Sequence, residues 1–313
     1  MGDKVLFTLS IVIPVYFNEK NIPSLYEKLN STIIENKDFK YELIFIDDGS
    51  GDNSYNELIK LREKDENVKI IKLSRNFGSH TAILAGLSHV KGDCVTVISA
   101  DLQDPPEIIL HMLNKWKEGN KVVLAVRQDR EESFFQKAFS NTYYNLMRKY
   151  ALKSMPKGGF DCFLADKKVI EIIKSIEEKN TSLMGQILWC GFKTEKIYYV
   201  RQKREEGKSM WTLSKKIKLF IDSFLAFSYV PIRFMSVLGV AISCFSFIFG
   251  LLLILNKFIM GVSVQGWTSL MVIFLFVSGV QMVMLGIIGE YLWRTFDESR
   301  KRPVFIIEEK IGL

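Results

Sequence analysis

At 313 residues and 36.1 kDa, with 48% hydrophobic residues, the chain can bury a sizeable core plus a smaller second part, and its composition excludes intrinsic disorder. A formal net charge of +7 and a pI near 9.0 fit either a nucleic acid or an anionic membrane surface, so the placement of the basic residues has to decide. A mean hydropathy of +0.11 in a chain that is 25% charged points to two physically different parts.

Near-continuous apolar runs of strand length occur at Leu9–Tyr16, Tyr41–Asp48, Val68–Ser74, Cys94–Ser99 and Lys121–Val126. Patterns of helix length lie between them, at Ile22–Ile34, Asn53–Lys64, Ser79–Val90 and Pro106–Lys117. Strands apolar on both faces that alternate with helices predict an α/β domain whose mainly parallel sheet lies between helical layers. In such sheets the ligand sits beyond the carboxyl ends of the strands. Here those ends read "PVYFNE", "DDGSGD", "SRNFGSH", "SADLQD" and "VRQDR". Any one of them reads as a turn and helix cap, as "DDGSGDNS" does with Gly51 or Asp52 near the next helix. Together they predict one polar crevice. No Gly-x-Gly-x-x-Gly follows the first strand and no complete Gly-x-x-x-x-Gly-Lys-Ser/Thr loop occurs, which removes support from dinucleotide redox chemistry and P-loop hydrolysis.

The fourth strand runs into "VISADLQDPPE", Val97–Glu107. Asp101 and Gln103 are two apart, so in extended backbone they lean to one side and can share a cation. Asp104 precedes Pro105 and Pro106, with Glu107 three residues on, and reads as a helix N-cap or as a further ligand. A few oxygen ligands without thiolate or imidazole suit Mg²⁺ or Mn²⁺ bridging substrate phosphates.

Beyond Met210 the character changes. In Trp211–Tyr229, Leu213, Ile217, Phe220, Ile221, Phe224 and Leu225 fall on one helical face with Lys215, Lys216 and Lys218 off it, until Pro231 ends the pattern. This is an interfacial helix or one docked on the soluble domain. Ile232–Leu255 carries no charge beyond Arg233 and Thr268–Gly289 carries none, each long enough to cross a bilayer core of ~30 Å. Their connector, Asn256–Trp267, holds only Lys257, whereas Arg201, Lys203, Arg204, Lys208, Lys215, Lys216, Lys218 and Arg233 precede the spans and Arg294, Arg300, Lys301 and Arg302 follow them. Positive-inside reasoning therefore expects both flanks in the cytoplasm. Met1–Ser10 leads directly into a strand and is not expected to be a cleavable signal. Cys94, Cys162, Cys190 and Cys244 lack metal-like spacing and read as reduced thiols. The expected organisation is a catalytic domain over 1–210, an amphipathic helix over 211–231, spans over 232–255 and 268–292 joined by an external loop over 256–267, and a cytoplasmic tail over 293–313.

The runs "IVIPVYFNEKNI", "IDDGSGD", "LSRNFGSHTAILAGL", "DLQDPPE" and "RQKREEGKSMW", followed by two spans, resemble the polyprenyl-phosphate glycosyltransferases of glycosyltransferase family 2. The likeness is greatest to the undecaprenyl-phosphate (bactoprenol) glucosyltransferase branch, with dolichol-phosphate mannose synthase a more distant relative. It implies a GT-A fold and transfer of one sugar from a nucleotide donor to a polyprenyl phosphate at the cytoplasmic face of a bacterial inner membrane, with inversion. UDP-glucose is the expected donor, UDP-N-acetylglucosamine the next. It further implies that Pro14, Tyr16, Glu19, Asp47, Asp48, Arg75, Gly78 and Asp101 bind the nucleotide-sugar, and that Asp101 and Gln103 hold Mg²⁺ or Mn²⁺. Arg127, Arg130, Lys137, Ser140, Arg204 and Ser209 would grip the acceptor phosphate. Asp161, in "GGFDCFLADK", would orient the acceptor or act as base beside the sugar, and His80, in "FGSH", reads as the start of the next helix. Much of the family has an aspartate where this chain has Ser99, which lowers the expected metal affinity and leaves a silent membrane scaffold as the alternative. Relatives associate through membrane and C-terminal segments, which leaves oligomeric state open with a homo-oligomer as one candidate and Arg302–Lys310 as a candidate added edge strand. Membrane and phosphates account for the basicity without nucleic acid.

Overall fold

The computed structural model describes residues 7–35, 38–128, 134–202, 213–260 and 266–313, and within these the side chains of 134–140, 213–216, 257, 260, 267 and 268 are not described. The chain divides into two compact units, 1–226 with 303–313, and 227–302.

The first unit is built on one eight-stranded sheet. Its strands are β1 (Thr8–Val15), β2 (Lys40–Asp47), β3 (Val68–Leu73), β4 (Cys94–Val97), β5 (Val122–Arg127), β6 (Phe160–Asp166), β7 (Thr194–Tyr199) and β8 (Ile307–Ile311), in the order β7-β5-β6-β4-β1-β2-β3-β8. Six run in one direction. β6 is antiparallel to β4 and β5, and β8 is antiparallel to β3. The apolar runs become strands because both faces are covered: Leu9, Ile11, Val12, Ile13, Leu43, Ile44, Phe45 and Ile46 are fully buried. The helices are α1 (Asn21–Leu29, continued by a π turn over Asn30–Ile34), α2 (Ser54–Lys64), α3 (Ser79–Leu87), α4 (Glu107–Lys117), α5 (Phe134–Tyr150), α6 (Lys167–Ser175), α7 (Leu183–Trp189) and α8 (Leu213–Phe227), of which α2, α3, α4 and α6 pack against the strands. α3 lies close against the sheet at Gly86, where an added Cβ would come within 2.6 Å of both Val12 and Ile46.

The segment read as a tail divides in two. Its first residues complete a helix, and Ile307–Ile311 adds to the sheet of its own chain, with Lys72 Nζ 3.0 Å from Glu308 and the Tyr55 hydroxyl donating to Glu309 at 2.6 Å.

The second unit holds α9 (Val230–Met260) and α10 (Trp267–Ser299), 31 and 33 residues long. At ~1.5 Å per residue they reach about 46 and 50 Å, ample for a bilayer core. Both present apolar side chains outward, Phe247, Leu252 and Phe258 on one and Leu270, Phe276 and Leu292 on the other. They start earlier and end later than the spans read from the sequence. The helices meet where Gly239 faces Met284, and the Tyr291 hydroxyl donates to the Ser228 carbonyl at 3.4 Å.

Candidate functional site

The parallel strands deliver their carboxyl ends, and antiparallel β6 its amino end, to one edge of the sheet, so the predicted polar segments come together there. The order places β1 beside β4 on one side and β2 on the other, which is the switch point at which such sheets bind ligands.

The β1 and β2 ends are tied to each other. Glu19 Oε2 accepts from the Asn53 amide at 2.9 Å, the Glu19 amide donates to Asp52 at 3.3 Å, and the Phe17 amide donates to Ser50 at 3.2 Å. Pro14 and Tyr16 line this end half-buried, Tyr16 edge-on to Phe17. Gly49 has φ +70°, and a Cβ there would lie 2.6 Å from the Arg75 backbone, so only glycine lets the β2 loop touch the β3 loop.

Adjacent aspartates at the end of β2 do different work. Asp48 accepts from the amides of Phe77 and Gly78, at 2.7 and 2.9 Å, and so fixes the entry to α3. Asp47 is fully buried; its Oδ1 accepts from the Ser50 amide, and its Oδ2 has no hydrogen-bond partner among the described residues. Burial raises both carboxyl groups above the ordinary aspartate range. The polar partners of Asp48 are thus backbone groups of its own chain, whereas Asp47 keeps an oxygen available. Arg75 is exposed, with its guanidinium 4.1 Å from the Phe77 ring centroid, and burial lowers the basicity of His80 on the first turn of α3.

After β4 the chain departs from the extended path expected for Asp101 and Gln103. It turns, with Leu102 at φ +60° and its side chain only 4% exposed. Burying an isoleucine-sized side chain is worth about 2 kcal/mol, enough to offset the roughly 1–2 kcal/mol cost of a left-handed backbone. The turn still brings the two residues together: Asp101 Oδ1 accepts from the Gln103 amide at 3.2 Å. Asp104 is not a cap. α4 has no side-chain cap, and Asp104 instead accepts from the buried Tyr199 hydroxyl at 2.6 Å. The two prolines already fix the helix entry, which frees the carboxylate to reach across to β7.

Arg201 lies between these acids, 3.9 Å from Asp101 Oδ2 and, through its buried Nε, 3.6 Å from Asp104 Oδ1, where the Nε makes no hydrogen bond among the described residues. Sequence reasoning counted it only as a basic flank. Its neighbour Gln202 pairs with Gln103 in both directions, through Gln202 N to Gln103 O at 3.0 Å and Gln103 Nε2 to Gln202 O at 3.3 Å. No short-range pattern reveals this contact, because 99 residues separate the partners.

Arg127, at the end of β5, forms an ion pair with Asp161 on β6, and its Nε makes no hydrogen bond among the described residues. The acid is half exposed and the arginine nearly buried. Lys137 and Ser140 lie on α5, though their side chains are not described, and Arg130, Arg204 and Ser209 fall outside the described residues. Among the described residues no three His, Cys, Asp or Glu side chains form a metal cluster. Asp101 and Gln103 nevertheless offer one carboxylate and one amide oxygen at a single turn, a set that fits a hard cation when substrate phosphates and water complete its shell.

Residues 10–172, just over half of the chain, match the family model described as "Glycosyl transferase family 2". The chain is 40% identical to an uncharacterized glycosyltransferase of Bacillus subtilis, across 97% of this chain and 94% of that one. It is 35% identical to a prophage bactoprenol glucosyl transferase homolog of Escherichia coli, across 96% and 98%, and 34% identical to the bactoprenol glucosyl transferase of Shigella phage SfV, also across 96% and 98%. Among solved structures, a Pyrobaculum calidifontis mannosyltransferase in complex with GDP-Man and Mn²⁺ overlaps 66% of this chain and 60% of its own, at 14% identity and a TM-score of 0.46. With a mostly parallel sheet in a GT-A-like arrangement and two long apolar helices after it, the chain belongs to glycosyltransferase family 2.

Proposed function

We propose that this protein transfers one sugar from a nucleotide-sugar donor, UDP-glucose ahead of UDP-N-acetylglucosamine, to undecaprenyl phosphate at the cytoplasmic membrane face, inverting the anomeric centre. The lipid-linked sugar would serve cell-envelope glycosylation. The observation that carries this reading is the near full-length likeness to bactoprenol glucosyl transferases, which takes in the crevice and both apolar helices.

The residues at the sheet edge supply the parts such a transfer needs. Asp47, with one carboxylate oxygen unpartnered, accepts the donor's base N–H, while the tied β1 and β2 loops around Tyr16 and Glu19 shape the nucleoside pocket. Asp101 and Gln103 would hold Mg²⁺ or Mn²⁺, whose chemistry is to offset charge on the departing diphosphate. Arg201 adds a fixed cation on the same side of the turn. The acceptor is a phosphate monoester already ionised near neutral pH, so no strong base is required. Arg127 receives that phosphate through its Nε–H, which makes no hydrogen bond among the described residues, and Asp161 holds the guanidinium in place beside the incoming oxygen. Arg130, Lys137, Ser140, Arg204 and Ser209 are the remaining candidates for the acceptor grip.

The test uses the full chain in detergent with undecaprenyl phosphate, Mg²⁺ or Mn²⁺ and a panel of radiolabelled UDP- and GDP-sugars, following label into the lipid phase. Transfer from one donor, abolished by chelator and by Asp101→Ala, is expected. Ser99 favours one second reading, a silent membrane scaffold; no transfer from any donor by the natural chain, but transfer by Ser99→Asp, would establish it.

A further inference from the structure

Asp161 follows two glycines, and what holds those glycines comes from elsewhere. Gly158 and Gly159 have φ of +85° and +70°, and the turn is closed by the Gly159 amide donating to the Pro156 carbonyl at 3.2 Å. A Cβ added at Gly159 would come within 2.2 Å of the Tyr144 hydroxyl oxygen and 2.3 Å of its ring, so the hydroxyl end of Tyr144 on α5 packs directly against this backbone. Its neighbour Tyr143 points about 100° away round the helix and meets α8 instead. The Tyr143 and Phe220 rings pack edge-on at 5.6 Å, Phe220 stacks on Phe224 at 5.7 Å, and Tyr143 contacts Tyr144 at 4.8 Å. On α8, Ser223 is fully buried on the same side as Phe220 and Phe224, while Ile217 and Ile221, one turn apart, stay about 40% exposed with Lys218 beside them. The helix thus docks one face and leaves a narrow apolar stripe outward.

We infer that Tyr143 and Tyr144 are positioning residues that carry the seating of α8 to the Asp161–Arg127 pair. The chain of contacts is continuous: α8 through Phe220 to Tyr143, Tyr144 onto the Gly158–Gly159 turn, and from that turn one residue to the start of β6 and Asp161. Two left-handed glycines cannot fix their own geometry, because glycine crosses between backbone wells at little cost. Rings packed over them do. Ile217 and Ile221 entering an acyl boundary hold α8 by its outer stripe, and the aromatic contacts hand that constraint to the acid. The inference rests on the reading of Asp161 and Arg127 as acceptor-side groups, and it adds that the acid is in register only when α8 is seated.

Hydrogen–deuterium exchange on the full chain in anionic lipid nanodiscs tests the relay without reference to turnover. Phe220→Ala and Tyr144→Ala should each raise exchange across 158–163 while leaving 40–47 in β2 unchanged, and Tyr144→Phe, which keeps the ring, should leave 158–163 protected. Unchanged exchange at 158–163 in both alanine variants would overturn the inference. Where the natural chain is active, each alanine variant should lower kcat about tenfold, the scale of a misplaced group, with UDP affinity unchanged. The double variant should fall no further; losses that multiply would show two independent sites and overturn the relay. An inactive natural chain with the exchange pattern intact would reject the proposed reaction alone.

Discussion

Glu42 and Asp47 stand five residues apart on β2, both almost fully buried, and the two ends of the strand treat them in opposite ways. Glu42 accepts from the Ser10 hydroxyl, from Lys69 and from the amides of Lys91 and Gly92, the amides at 2.7 and 3.2 Å. Burial alone would raise its carboxyl group, but Lys69, Ser10 and the Lys91 amide outweigh it and hold the group below the usual range. Asp47 has the same burial with one oxygen left over, and burial raises it. At the same sheet edge Arg127 and Arg201 each have a buried Nε that makes no hydrogen bond among the described residues, that of Arg201 lying 3.6 Å from Asp104. A folded chain rarely leaves buried polar atoms without a hydrogen bond, and these three at one sheet edge are the atoms that the proposed donor and acceptor would meet.

The contrast can be broken from either end. The largest effect belongs to the satisfied end: Lys69→Met leaves the Glu42 carboxylate buried without its cation and should cost about 3–5 kcal/mol of stability, read as a lowered denaturation midpoint of the full chain in detergent. Tyr199→Phe removes the hydroxyl from buried Asp104 and should cost roughly 1–3 kcal/mol, with a weaker hold on the turn carrying Asp101 and Gln103, visible as reduced Mn²⁺ affinity. Asp47→Asn should do the reverse of Lys69→Met: stability stays level or rises, while UDP affinity falls about tenfold, or ~1.4 kcal/mol, by calorimetry. Equal loss of stability at both positions would erase the distinction between the ends.

Acid sharpens it by sign. The folded Glu42 group titrates below its unfolded value, so its contribution is present above the ordinary glutamate range and is lost as pH falls through the depressed folded value. The folded Asp47 group titrates above its unfolded value, so its charged form opposes folding at neutral pH and that opposition fades as pH falls. UDP binding should therefore weaken on acidification at a pH above the ordinary aspartate range, before the fold itself is affected, and Asp47→Asn should abolish that dependence.

Much of the sheet was legible because its strands are apolar on both faces, and the convergence of their polar ends followed from parallel order alone. What escaped was long-range. Asp-Pro-Pro-Glu carries every local mark of a capped helix, yet Asp104 bonds a tyrosine 95 residues away. Asp101 and Gln103 do not lie on the extended backbone their spacing suggests, since Leu102 turns the chain and is buried there. Arg201 lay within a run of basic residues and nothing local set it apart. The Arg127–Asp161 pair was legible only as two separate candidates, because β6 runs against its neighbours and brings its first residues, not its last, to the site edge.

β8 gives the molecule an order of assembly. Lys72 and Glu308 are 236 residues apart, and between them the ribosome must make everything in α9 and α10. At ~5–20 residues per second the outer edge of β3 waits roughly 12–47 s for its partner. During that time it is an open strand edge, the kind that recruits other chains. The sheet is closed only after both apolar helices have been synthesised, so a chain interrupted between them is left with its catalytic unit unsealed.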